Sequence, residues 1–335
     1  MSYKVFTYYP RPQSVVDRII ESGVKIEFVM PEEISLAAAC QAIVDCNAMI
    51  EDKTTHIGVC KELIDSAQNM EVIISPSIGY ETIDVKYAES KGIYVVNSSG
   101  ASTTAVAEAT ILLMLACNRN FSFIDEKFRR LRKDYPFYVF DDPSVRGIEL
   151  RGKTLGLIGC GAIGRAVATI AFYGFGMRVI GCDPFLKQFP EYIERRECQE
   201  DVFMQSDFVS LHLPSTTSTI HSIGKDLFKF MKPTAYFINA SRGNIVCQND
   251  LIDALETHQI AGAGLDVYDP EPLDESSYRL FDLPNVCMTP HTAGFTKEAS
   301  KRYSEYEAQN LLEAARGQVL TRSVNHPNNP RNRRL

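Results

Sequence analysis

The chain is predicted to fold as two α/β domains, the larger one a doubly wound parallel sheet. Three observations predict this. At about 150 residues per domain, 335 residues make roughly two domains. Between residues 150 and 295, short β-rich runs alternate with helical patterns about every 25 residues, the rhythm of a parallel sheet covered on both faces. Six such runs are visible there, the number of strands in the doubly wound dinucleotide fold.

Taken in order, strands are predicted over 3–8, 25–29, 48–50, 71–75 and 94–96, with helices over 14–21 and 61–68. This first set has no glycine-rich loop after its first strand. Residues 101–118 read as a long apolar helix linking the two sets, with Ser102 or Thr103 as its N-cap. Its apolar run, 109–117, falls well short of the about 20 residues a bilayer demands. Residues 121–150 are aromatic and charged without clear period and read as an irregular arm. The six strands of the second set are predicted over 154–158, 178–182, 207–211, 235–238, 262–266 and 286–288. Helices are predicted between them over 163–174, 225–230 and 248–257. A last helix covers about 296–316, and 326–335, rich in Asn, Pro and Arg, reads as a loose tail.

Composition narrows the partners. Apolar residues make up 45% and charged residues 23%, which excludes a disordered or collagen-like chain. With 35 basic and 42 acidic residues the net charge is -7, so neither nucleic acid nor an anionic membrane is expected as a partner. The start, MSYKVFTYYP, has no apolar signal region. Nine cysteines without a CxxC pair read as reduced thiols of a cytoplasmic protein, with no metal site.

Gly159, Cys160, Gly161, Ala162, Ile163 and Gly164 form a GxGxxG loop between a strand and a helix. Gly159 would permit the tight turn, Gly161 the approach of a pyrophosphate, and Gly164 close helix packing. The backbone N–H groups opening the helix, at Ala162 and Ile163, would face the phosphates. Asp183 follows Gly164 by 19 residues at the end of the next strand, where an acid binds ribose hydroxyls and repels a 2′-phosphate. The expected cofactor is NAD.

Ligands of open α/β sheets bind beyond the carboxyl ends of the strands. Beyond the third strand come His212 and Pro214, and beyond the fourth come Ala240, Ser241 and Arg242. Beyond the fifth come Asp266 and Glu271, and beyond the sixth His291. Arg242 offers a planar fork for a carboxylate. His291 can give or take the proton of a carbinol. Glu271, if adjacent, would favour the imidazolium. Singly, such residues are usually a surface ion pair, a turn residue and a structural histidine. Jointly, beside a dinucleotide loop, they suit hydride transfer between a nicotinamide and a 2-oxo acid.

Six segments carry a resemblance: SIGYETID (77–84), AVAE (105–108), GLIGCGAIG (156–164), INASRG (238–243), AGLDVYDPEP (263–272) and TPHTAG (289–294). Through them the chain resembles the D-isomer-specific 2-hydroxyacid dehydrogenases over nearly its whole length. Arg242, Glu271 and His291 are separated by 29 and 20 residues, as in the family. The resemblance implies that the N–H groups of Ile78 and Gly79 help bind the substrate carboxylate, with Ser102 a further substrate-side candidate. It implies that Asp266 meets the carboxamide side of the nicotinamide, and that His212, Pro214, Ala240, Ser241 and Gly294 line the cofactor groove. It implies a Rossmann-type cofactor domain, 101–295, inserted into a smaller flavodoxin-like substrate domain, 1–100 plus 296–335, with a hinge at the two crossings. It also implies a homodimer through the cofactor domain, built on the 121–150 arm.

The expected activity is that of an NAD-dependent 2-keto acid reductase on a small-molecule 2-keto or 2-hydroxy acid. The stretch from Asn97 to Ser102 lacks both the proline common in the family and the tyrosine of lactate-type members. It resembles phosphoglycerate, hydroxypyruvate or glyoxylate enzymes, and also the dinucleotide-sensing corepressors of the superfamily. The loop 75–80 carries no Arg or Lys for a phosphate; Lys53 and His56, the basic candidates near it, read better as a solvated loop charge and a polar turn. Glu271 speaks against formate, where relatives carry Gln, and Ile78 against phosphite, where they carry Lys.

Overall fold

The computed structural model describes residues 2–134 and 146–332. The chain divides into two compact units, Met1–Ser102 with Thr296–Leu335, and Thr103–Phe295.

The first unit is built on five parallel strands: β1 (Tyr3–Phe6), β2 (Ile26–Val29), β3 (Ala48–Ile50), β4 (Val72–Ile74) and β5 (Tyr94–Val96). Their order is β2-β1-β3-β4-β5, the flavodoxin-like order. Strand residues alternate between two apolar layers. Val5, Ala48, Ile50, Val72, Ile74 and Val96 pack with Val15 and Ile19 of the helix Gln13–Glu21 and with Leu311 of the helix Lys297–Arg316. Phe6, Met49, Ile73 and Val95 pack on the other side with Ile43, Leu63 and Ile64.

Helices were expected between these strands, but two short ones, Leu36–Ala42 and Val85–Ser90, had no range assigned. Neither is long enough for a 3.6-residue period to repeat clearly. Their caps were the available signal: Ser35 accepts from Ala38 N–H and Asp84 from Tyr87 N–H. The helix Lys297–Arg316 is capped by Thr296 and stopped by Gly317 in the left-handed region, φ 63°. The tail is not loose up to residue 332. Arg331 donates to the carbonyls of Lys91 and Ala67, and Asn332 to Glu71. Polar side chains tying down backbone carbonyls leave no apolar pattern to read.

The second unit has seven parallel strands: β6 (Thr154–Ile158), β7 (Arg178–Cys182), β8 (Glu194–Arg195), β9 (Phe208–Leu211), β10 (Tyr236–Asn239), β11 (Gly262–Leu265) and β12 (Val286–Met288). Their order, β12-β11-β10-β9-β6-β7-β8, is doubly wound, with the winding reversing at β6 and β9. The expectation of six strands is corrected by β8. It is two exposed charged residues, held to the sheet edge by a bidentate pair between Glu194 and Arg178. No apolar run marks it.

The helix Thr103–Asn118 buries residues around most of its circumference, which is why its sequence reads as uniformly apolar. The segment expected to be an irregular arm instead continues as a helix, Phe121–Leu131. Phe121, Ile124 and Phe128 recur at helical spacing on it, but over too few turns to stand out. Residues 135–145 of the arm lie outside the described residues. The helix predicted over 163–174 runs as an α-helix, Ala162–Thr169, and then as a wider π-type stretch, Ile170–Gly174. Among the described residues, no helix is long and apolar enough to cross a membrane, and all nine cysteines are free thiols.

Candidate active site

The glycine loop leaves β6 at Ile158. Gly159 has φ +92°, and a Cβ there would lie 2.6 Å from the carbonyl oxygen of His212. Both facts demand glycine. Gly164 sits on the first helical turn, where a Cβ would meet the Gly159 carbonyl oxygen at 2.4 Å. Gly161 differs: nothing lies within 4 Å of its Cβ position, so the loop is open at this point. Ala162 and Ile163 follow as the first residues of the helix, whose leading N–H groups have no helical acceptor.

Asp183 stands at the end of β7, and its carboxylate accepts Cys160 N–H at 2.9 Å, Phe185 N–H at 2.9 Å and Leu186 N–H at 3.2 Å. It therefore fixes the glycine loop and its own turn together. An open glycine, leading helix N–H groups and an acid on the next strand fit a dinucleotide.

His212 follows β9, with Nε2 3.0 Å from Ser210 Oγ. Burial pushes its pKa down to about 4, so the ring is neutral at pH 7. Pro214 is exposed on the same edge. Beyond β10, the buried Asn239 folds the next turn by accepting Ser241 N–H and Oγ–H and donating to the Arg242 carbonyl. Ala240 and Ser241 lie within that turn. The half-buried Arg242 donates from Nη1 to its neighbour's carbonyl at 2.7 Å.

Gly243 is the tightest position of the site. A Cβ there would lie 1.6 Å from the carbonyl oxygen of Tyr268. The Arg242 turn thus rests directly on the backbone of the segment leading to Glu271. Gly243→Ala should force the two apart, costing about 1–3 kcal/mol in stability. It should also lower kcat/KM about 10²-fold by displacing Arg242. Urea unfolding and steady-state kinetics on the same preparation check both effects.

Glu271 is held at both oxygens. Oε1 accepts Tyr268 N–H at 2.8 Å, and Oε2 pairs with His291 Nδ1 at 2.7 Å. Burial pushes the Glu271 carboxyl up, but the bonds from His291 and Tyr268 outweigh it and leave the group below its ordinary value. The Glu271 bond lifts His291 above its ordinary value against the opposing effect of burial. Both shifts describe a carboxylate supporting an imidazolium. Arg242 is close enough for its charge to act on each partner.

Asp266 is 1% exposed, and its carboxylate anchors the turn that carries His291. It accepts Thr289 Oγ1–H at 2.6 Å, Thr292 N–H at 2.8 Å and Ala293 N–H at 2.9 Å. Its carbonyl accepts His291 N–H at 2.8 Å. These bonds hold His291 in the left-handed region, φ 54°, uncommon for a residue with a side chain. Gly294 closes the same turn.

Ile78, Gly79 and Ser102 belong to the first unit. The Ile78 carbonyl accepts from Asn97 Nδ2 at 2.7 Å, and the Gly79 carbonyl from Ser75 and Ser77 hydroxyls at 2.8 Å each. Ser102 is buried immediately before the helix Thr103–Asn118. Lys53, a candidate for a substrate phosphate, pairs with Glu81 at 3.2 Å, and His56 ends its short helix in the left-handed region.

Sequence reasoning put Asn239 and Gly243 on the ligand edge beyond the fourth strand without a role, and missed Tyr268 and Thr289 as parts of this machinery. All four lie inside the INASRG, AGLDVYDPEP and TPHTAG segments, so their company was the only signal.

Residues 111–293 match the family described as D-isomer specific 2-hydroxyacid dehydrogenase, NAD binding domain. A glyoxylate reductase of Thermococcus litoralis is 36% identical over 330 residues, covering 97% of each chain. A D-3-phosphoglycerate dehydrogenase of Methanocaldococcus jannaschii is 34% identical over 94% of this chain and 60% of its own length. A solved acyclic imino acid reductase in complex with NADPH and D-Arg superposes with a TM-score of 0.82 at 27% identity, over 96% of this chain and all of its own. The chain belongs to the D-isomer-specific 2-hydroxyacid dehydrogenase family.

Proposed function

We propose that the protein is an NADH-dependent reductase of small 2-keto acids, giving D-2-hydroxy acids. The observation that carries this reading is the His291–Glu271 pair at 2.7 Å, with the Arg242 charge acting on both. When bound, the nicotinamide supplies the hydride. On the second unit Arg242 binds the substrate carboxylate; on the first unit the N–H groups of Ile78 and Gly79, and Ser102, are the substrate-side groups. The imidazolium of His291 donates from Nε2, the nitrogen not engaged by Glu271, to the carbonyl oxygen that becomes the hydroxyl. Glu271 keeps that nitrogen protonated until the substrate arrives. The glycine loop, Asp183, His212, Pro214, Ala240, Ser241, Asp266 and Gly294 hold the dinucleotide.

Family relatives named glyoxylate reductase and the matched charge of Lys53 favour an unphosphorylated substrate. NADH oxidation should be followed with glyoxylate, hydroxypyruvate, pyruvate, phenylpyruvate and branched 2-keto acids. Turnover of at least one is expected. Dinucleotide binding without turnover of any would replace the reductase by a dinucleotide sensor, and turnover of 3-phosphohydroxypyruvate alone would replace the substrate class.

NADH is expected over NADPH. Asp183 would set a carboxylate against a 2′-phosphate, and Pro184, Phe185 and Leu186 offer no cation to offset it. Such like charges, partly desolvated, make kcat/KM higher for NADH by on the order of 10²-fold. Equal values would remove Asp183 from this role.

The protein is further proposed to be a cytoplasmic homodimer. Nine free thiols suit a reducing compartment. A groove lined by Leu112, Leu115, Ala116, Phe121 and Ile124 on the second unit, with Leu112 and Phe121 exposed, supports association through that unit.

A further inference from the structure

Glu271 sits on a loop that the backbone does not hold. Among the described residues, no backbone–backbone hydrogen bond reaches 269–273. Pro270 and Pro272, on either side of Glu271, have no N–H to give. Leu273 packs against the apolar core, and the hydrogen bonds of the loop are made with side chains. A segment with so few main-chain bonds opens easily unless its ends are fixed.

Gln248 fixes both ends. It is the first residue of the helix Gln248–Glu256, which buries Leu251, Ile252, Ala254 and Leu255 and so stands firmly on the core. Its Oε1 accepts Asp269 N–H at 3.0 Å. Its Nε2 donates to the Asp269 carbonyl at 2.7 Å and to Ser277 Oγ at 2.8 Å. Ser277 is fully buried. The amide oxygen and both amide protons are thus engaged. The Asp269 residue also sets which end of the amide is which, because only one orientation meets both its N–H and its carbonyl. One side-chain amide therefore ties Asp269, two residues before Glu271, to Ser277, six residues after it.

What the amide ties is the support of the proton donor. Tyr268 N–H, next to Asp269, holds Glu271 Oε1 at 2.8 Å, and Glu271 Oε2 meets His291 Nδ1 at 2.7 Å. We propose that Gln248 is a positioning residue for His291: its side-chain amide pins both ends of the 269–277 loop and so keeps the Glu271 carboxylate on the imidazole. This inference rests on the roles proposed above for Glu271 and His291. The charged groups facing His291 are Glu271, Asp266 and Arg242, and of these only Glu271 rides on the loop that Gln248 ties. At Asp269 the carboxylate also meets His221 Nε2 at 2.7 Å, a largely exposed pair that holds the side chain and not the peptide.

Gln248→Met keeps the length of the side chain and removes all three bonds. The His291 ring, followed by NMR and assigned by its loss in His291→Ala, should titrate at lower pH in Gln248→Met than in the parent, and at lower pH still in Glu271→Gln. For the best 2-keto acid, kcat should fall about tenfold at alkaline pH and less at acid pH, with KM within about threefold of the parent. An amide that only braces the fold would lower the Tm and leave the ring titration where it was, and that result overturns the proposal. Ser277→Ala removes one of the three bonds and should move the titration the same way by less. It decides the matter if Gln248→Met does not fold, and an unmoved ring there overturns the proposal too. An unmoved ring in Glu271→Gln would instead break the coupling of Glu271 to His291, and the inference with it. A parent that turns over no 2-keto acid would end the reductase reading, while the ring titration still decides for Gln248.

Discussion

His291→Ala is expected to lower the rate of 2-keto acid reduction about 10²–10⁴-fold, the range that a general acid contributes. The carbonyl oxygen must gain a proton as the hydride arrives, and His291 is the group at the site poised to lose one near neutral pH. Its partner at 2.7 Å raises its affinity for that proton. The sign of the pH dependence follows. Reduction needs the imidazolium, present below the raised pKa, so its rate should fall on the alkaline side. Oxidation of the hydroxy acid needs the neutral ring and should fall on the acid side. Glu271→Gln keeps the shape and removes the charge, so the alkaline limb of reduction should move to lower pH, with a smaller loss of peak rate than in His291→Ala. Profiles of kcat/KM in both directions measure this. An alkaline limb unmoved in Glu271→Gln would uncouple the pair, and a nearly unimpaired His291→Ala would leave dinucleotide sensing as the better account.

Arg242→Ala should lower kcat/KM about 10²–10³-fold, because two charge-assisted hydrogen bonds to one carboxylate are worth about 3–4 kcal/mol together. Both KM and kcat should suffer, since in its proposed role the fork would grip the carboxylate before and during the reaction. Arg242→Lys should recover only part of the loss. An ammonium on a flexible stem cannot reproduce two parallel bonds. Values within a few-fold of the parent for every 2-keto acid in Arg242→Ala would make the residue a structural ion pair instead.

How much of this was readable depends on what each element is made of. β6, β7 and β12 are apolar runs with clear borders, and their predicted ranges coincide with the observed ones. β8 is held by a side-chain ion pair at an edge, and hydrophobic pattern is blind to it. The helix Phe121–Leu131 has no buried residue among those described, so its sequence had no core to advertise. At the site, counting strands put Arg242, Glu271 and His291 beyond the ends of β10, β11 and β12, and the chain carries them there. The supports beneath them were not readable. Asn239, Tyr268 and Asp266 act through backbone N–H and carbonyl groups of their own and neighbouring turns, and no spacing rule encodes such bonds.

The contact at Gly243 bears on how substrate range can change. A methyl group there would overlap the Tyr268 carbonyl, while Tyr268 N–H holds Glu271 and Glu271 holds His291. The proposed anion grip, Arg242, and the proposed proton donor, His291, are therefore cast as one piece. Mutational drift or directed evolution has little freedom to widen or shift one without the other. Selection for bulkier or differently charged acids should accordingly accumulate its changes outside residues 239–243 and 266–293, leaving this piece intact while specificity diverges around it.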